Sequence, residues 1–159
     1  MKRLIVVRHS EYNGVALTPG GKEMFDKLLD KLRPEWEGAS VSIISAPADR
    51  AQQSAQIIAT KTKATVTVVK DLDGEGFRSP SKEQWQQITK QLIEQTSDVV
   101  FAVMHREETE IMPQKIAEAL FAPTGIQEVR SNCYKLGHND SYVLDFEQKN
   151  VRTVWIAHK

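Results

Sequence analysis

The sequence contains a single cysteine, Cys133, so no intrachain disulfide can staple it, and a reducing compartment is the expected setting. It also lacks net charge, because 21 Lys and Arg offset 21 Asp and Glu. That balance gives the chain no global reason to seek nucleic acid or an anionic membrane, so any attraction for anions must be local. Long apolar runs are missing. Only Leu4 to Val7 separate Lys2-Arg3 from Arg8, too short a stretch for a secretion signal or a spanning helix. A cytoplasmic protein with no membrane partner is expected. The three tryptophans, Trp36, Trp85 and Trp155, do not cluster with basic residues, so no nucleic-acid platform is expected either.

Several ligand motifs fail on inspection. Asp71-Leu72-Asp73-Gly74-Glu75-Gly76 begins like a calcium loop, but its twelfth position is Lys82, Pro80 intrudes and a strand precedes it. Gly74 and Gly76 lack the third small residue of a dinucleotide fingerprint, and no Walker loop is present. Cys133 and His138 are too few for a zinc site. No metal and no cofactor are expected. Cys133 is read as a small buried hydrophobe, and His138 and His158 as solvent-facing.

What the chain does contain is alternation. Leu4 to Val7 and Val99 to Met104 are continuous apolar runs that suit strands buried on both faces, and Val41 to Ser45 and Thr65 to Val69 read as strands as well. Between them lie helical patterns. Thr18 is placed as a cap and Pro19 at the first helical position, with Met24, Phe25, Leu28, Leu29 and Leu32 following before Pro34 stops the run. Pro47 opens a second helix bearing Ala51, Ala55 and Ile58, and a third carries Trp85, Ile88, Leu92 and Ile93 on one face. Ile111 to Phe121 reads as a further helix, and Ser141 to Phe146 and Val151 to Ile156 as extended segments. With 159 residues and no repeat or linker, residues 1–159 form one domain. Its expected class is α/β, three-layer α/β/α with a mostly parallel central sheet.

Such sheets bind ligands at the carboxyl ends of their strands. There the chain places Arg8-His9-Ser10-Glu11, then Ser45-Ala46-Pro47-Ala48-Asp49-Arg50, then His105-Arg106. Guanidinium groups offer rigid donor forks to phosphate, and a neutral imidazole among them can attack phosphorus. Four ordered segments carry a closer likeness. They are Leu4 to Glu11, Leu17-Thr18-Pro19-Gly20-Gly21, Ser45 to Ala55 with its Arg50-Ala51-Gln52-Gln53-Ser54-Ala55, and Phe101-Ala102-Val103-Met104-His105. Together they resemble the histidine phosphatase superfamily, whose fold is phosphoglycerate mutase-like, and Asn139 to Asp145 resembles its final strands.

The resemblance implies a metal-independent phosphatase acting on a phosphomonoester or a protein phosphohistidine. His9 would be the nucleophile, and Arg8, Arg50 and His105 would complete the phosphate pocket. The proton donor would come from the loop after the third strand, with Glu75 preferred, Asp73 close behind and Asp71 in the same stretch. Ser10 stands where the family carries glycine, and a serine there either clashes with phosphate or donates to it. Arg106 follows His105 where a small residue is usual and is a candidate phosphate contact. The short interval between His9 and Leu17 disfavours a mutase and points to the compact phosphohistidine phosphatases. The competing expectation is a catalytically silent member that binds a phosphorylated ligand or a protein.

Overall fold

Leu4, Ile5, Val6 and Val7 are completely buried, because their strand has neighbours on both sides and helices on both faces. In the computed structural model, which describes residues 1–72, 81–106, 109, 111–113, 115, 116 and 136–156, this strand is β1, Arg3–Arg8. The other strands are β2 (Val41–Ser45), β3 (Val66–Val68), β4 (Val99–Met104), β5 (Ser141–Asp145) and β6 (Asn150–Val154). They form one sheet in the order β3-β2-β4-β1-β5-β6. The first four are mutually parallel, and β5 and β6 are antiparallel additions at one edge. The class is therefore the α/β, mostly parallel architecture expected.

The helices are α1 (Pro19–Trp36), α2 (Asp49–Thr62) and α3 (Lys82–Ile93). Phe25, Leu28, Leu29 and Leu32 of α1 and Ala51, Ala55 and Ile58 of α2 are buried, and the two helices touch each other. Right-handed crossovers put α1 and α2 on one face and send α3, which returns the chain in the opposite direction, to the other. Among the described residues beyond β4, those from 109 to 116 are helical. No helix among the described residues is long and apolar enough to cross a membrane.

Several details differ from expectation. α1 runs past Pro34 to Trp36. A proline in the last turn costs only one backbone bond, and Glu35 pairs with Arg3 and Arg152 while Trp36 packs against the core. α2 begins at Asp49 rather than Pro47, because Ala48 is extended and serves as the cap. β3 shrinks to three residues, since it lies at the edge and pairs only with β2. Ile93 is 38% exposed, apart from the buried face made by Trp85, Ile88 and Leu92.

Candidate active site

β1 and β4 end level, Arg8 facing Met104 in the register. The antiparallel β5 begins opposite Val7 at Ser141, so the residues before β5 reach the same end of the sheet as the residues after β1 and β4. The His9 amide donates to the Met104 carbonyl at 3.0 Å and the Arg8 amide to Asp140 at 3.4 Å. His9 is thereby clamped between β4 on one side and the turn leading into β5 on the other.

Gly21 explains how α1 closes onto this point. A Cβ on it would lie 2.7 Å from the Glu11 carbonyl and 2.9 Å from Ser10 Oγ, so a side chain there would push α1 off the His9 loop. Thr18 Oγ1 accepts from the Gly21 amide at 2.9 Å and caps the helix at this contact. The loop from Glu11 to Leu17 is pinned as well. Asn13 Oδ1 accepts from the Val15 and Ala16 amides, and Gln53 of α2 accepts from the Leu17 amide and donates to the Val15 carbonyl.

His9 is almost entirely buried. Its Nδ1 lies 2.8 Å from the Ser10 carbonyl, which can only accept, so Nδ1 carries the hydrogen. Nε2 therefore presents a lone pair, and Arg50 Nε donates to it at 3.3 Å. Burial drives the His9 pKa from 6.5 down to about 3, with His105, Arg8 and Arg50 pushing the same way against the Ser10 carbonyl. The imidazole is neutral across the physiological range, as a nucleophile at phosphorus must be.

Arg50 stands in the first turn of α2, its guanidinium 4.9 Å from the Tyr12 ring centroid. Tyr12 in turn meets His9 edge-on at 5.5 Å. Ser54, one turn further along α2, donates to the Arg50 carbonyl and accepts from the Ser10 amide at 3.0 Å. Helix α2 thus holds both the arginine and the backbone beside the nucleophile. His105 follows β4 directly, buried, its ring 5.3 Å from that of His9. Arg8 is half-buried and donates through Nη1 to the Leu136 carbonyl at 3.1 Å.

Arg8, His9, Arg50 and His105 are therefore brought together, while Arg106 is exposed on the helix that follows. Ser10 is fully buried, and its hydroxyl donates to Asn139 Oδ1 at 2.9 Å. Asp71 lies in a 3-10 turn, Lys70–Leu72, and accepts from Gln84 of α3. Glu75, Asp73, Cys133 and His158 lie outside the described residues.

One expectation is overturned. His138 does not face away into solvent; it is half-buried, its ring 5.3 Å from His9. The strand-end rule missed it because β5 runs antiparallel, so the site-facing residues precede that strand instead of following it. Tyr12 was also missed, and nothing in its local sequence marks it.

The histidine phosphatase superfamily (branch 1) model matches residues 4–120, and the chain belongs to that superfamily. No curated protein matches the sequence. Among solved structures the fold is similar to a protein assigned as the phosphohistidine phosphatase SixA of Agrobacterium tumefaciens. The TM-score is 0.64 at 15% identity, covering 96% of this chain and 95% of that one. It is also similar to the alpha-ribazole phosphatase of Shigella flexneri, with a TM-score of 0.61 at 17% identity and 99% of each chain covered. A phosphoglycerate mutase of Plasmodium falciparum gives 0.56 at 19% identity, covering 97% of this chain and 89% of the other. At these identities the likeness establishes the fold.

Proposed function

We propose that the protein is a phosphatase that works without a metal, through a phosphohistidine at His9. The observation that carries this reading is the state of the His9 ring: Nδ1 is committed to the Ser10 carbonyl and Nε2 offers its lone pair beside the Arg50 guanidinium. An arriving phosphoryl oxygen draws the guanidinium to itself and releases that lone pair. Nε2 then attacks phosphorus, the P–O bond of a phosphomonoester or the P–N bond of a phosphohistidine breaks, and the leaving oxygen or nitrogen takes a proton. Arg8, Arg50 and His105 offset the charge on the other oxygens. Water next attacks phosphorus and gives a proton back to the group that protonated the leaving atom, the P–N bond breaks and orthophosphate leaves, returning Nε2 to its starting state. Glu75 is our proposed proton donor, with Asp73 the alternative.

The substrate we propose is a phosphomonoester or a protein phosphohistidine from the cytoplasm. The short loop between His9 and Leu17, bound by Gln53 at Val15 and Leu17, supports a hydrolase that takes water over a mutase that must retain a second phosphate acceptor. The test is orthophosphate release from sugar phosphates, aryl phosphate and a phosphohistidine protein, with EDTA present and His9→Ala as control. Release that survives EDTA and disappears in the variant is expected. Release by the variant overturns the mechanism, and absence of release from every substrate by folded protein leaves a phosphate-binding member of the fold.

A further inference from the structure

The turn that delivers His138 is tied down on every side. Gly137 and Asp140 bond to each other twice, the Gly137 amide to Asp140 Oδ2 at 3.1 Å and the Asp140 amide to the Gly137 carbonyl at 3.3 Å. A Cβ on Gly137 would sit 2.6 Å from Asp140 Oδ2, so a larger residue there would displace that carboxylate. Asn139 adopts a left-handed φ of 62°, which asparagine tolerates better than most residues. From outside, Arg8 donates to Leu136, the Leu136 amide donates to Thr109 Oγ1, and Ser10 donates to Asn139. Contacts at Leu136 and Asn139, on either side of His138, thus hold its backbone beside the end of β1.

His138 and His105 flank the nucleophile at the same 5.3 Å ring separation, tilted 49° and 68° to it. The Nε2 of His138 is buried, as are both ring nitrogens of His105. Among the described residues no three His, Cys, Asp or Glu side chains are arranged to hold a metal ion.

In-line attack separates two kinds of position around phosphorus. The leaving oxygen lies beyond phosphorus on the axis of attack, about 5 Å from Nε2 when the reacting atoms are at near-attack distance. The three equatorial oxygens lie around the axis, turned toward groups that stand beside the nucleophile. A ring packed alongside His9 meets an equatorial oxygen, whereas a proton donor must stand across the phosphoryl group from it.

We propose that His138 is an oxyanion ligand, donating an N–H to an equatorial phosphoryl oxygen as a counterpart of His105, and that it does not protonate the leaving group. The proposal rests on the site being a phosphoryl pocket, and its test separates the two ideas. Tungstate and inorganic phosphate are titrated calorimetrically into wild type, His138→Ala and His138→Gln, and kcat/KM is measured over aryl phosphates of graded leaving-group pKa.

Loss of one such donor should weaken tungstate by about tenfold or more. It should also lower kcat/KM by one factor across the series, leaving the dependence on leaving-group pKa unchanged. His138→Gln, which restores an N–H, should recover part of the tungstate affinity. That recovery is a response a merely structural role would not give. Equal tungstate affinity in wild type and both variants overturns the proposal alone. So does a loss confined to poor leaving groups, the signature of a proton donor. Wild type that binds neither anion overturns the phosphoryl-pocket reading, and this proposal falls with it.

Discussion

At the amino ends of β1 and β4, Lys2 lies 3.2 Å from Asp98, Ser40 Oγ donates to the same carboxylate, and Arg3 lies 3.2 Å from Asp145 and 3.5 Å from Glu35. At the carboxyl ends of the same strands, Arg8 donates to a carbonyl and Arg50 to an imidazole and an aromatic face, around a nearly buried histidine. The first end pairs opposite charges in or near water, where attraction is screened and worth little. The second gathers donors of one sign around an uncharged nitrogen in a dry setting, where electrostatic interactions are stronger. The His9 pKa registers that setting, since burial first, and then the neighbouring His105, Arg8 and Arg50, disfavour a charged ring. One end of the sheet is built for tolerance, and the other has the donors that the proposed phosphatase reading requires.

Substitutions at the two ends should therefore differ sharply. Arg50→Ala has the largest expected effect among them, lowering kcat/KM by about 10²–10³-fold in steady-state phosphate release, because it removes a donor to the transition state. A loss below tenfold would mean that the guanidinium merely covers His9. The pH response comes next. The folded pKa of His9, about 3, lies below its ordinary 6.5, so between those values the unfolded chain binds more protons than the folded one. This contribution to stability is complete above pH 6.5 and is lost as the pH falls toward 3, with a slope of up to about 1.4 kcal/mol per pH unit. Denaturant midpoints across that range should show it, and His9→Asn should flatten it. Asp98→Asn, at the far end, should produce the smallest effect: turnover at the wild-type level and little change in thermal midpoint. A clear drop in its turnover would show that the two ends are coupled and would break the contrast.

Much of this arrangement is readable from local pattern. Val99 to Met104 can be recognised as a strand because it has no polar face, and His105 follows as a site residue from the direction of a parallel strand. The same reasoning brings out His9 and Arg50. It fails where the deciding partner is remote. Whether Ser10 meets phosphate depends on Asn139, 129 positions away, and on the closeness of Gly21. The position of His138 depends on the direction in which β5 joins β1, and hydrophobic pattern carries no sign of strand direction. Pro34 misleads for the opposite reason. It is a strong local signal, outweighed by the ion pairs of Glu35 and the packing of Trp36.

The β5–β6 hairpin has a consequence for the order in which competence is lost. It holds an edge of the sheet, with β6 paired only to β5, and the bonds from Arg8 to Leu136 and from Ser10 to Asn139 span 128 and 129 residues. Contacts of such sequence separation are slow to close during folding, and edge elements open at lower free energy than the core. The pocket is complete only while that hairpin stays docked against β1. As denaturant rises, anion binding should disappear before the circular dichroism of the β1–β4 layer changes, so the protein can be globally folded and already functionally silent.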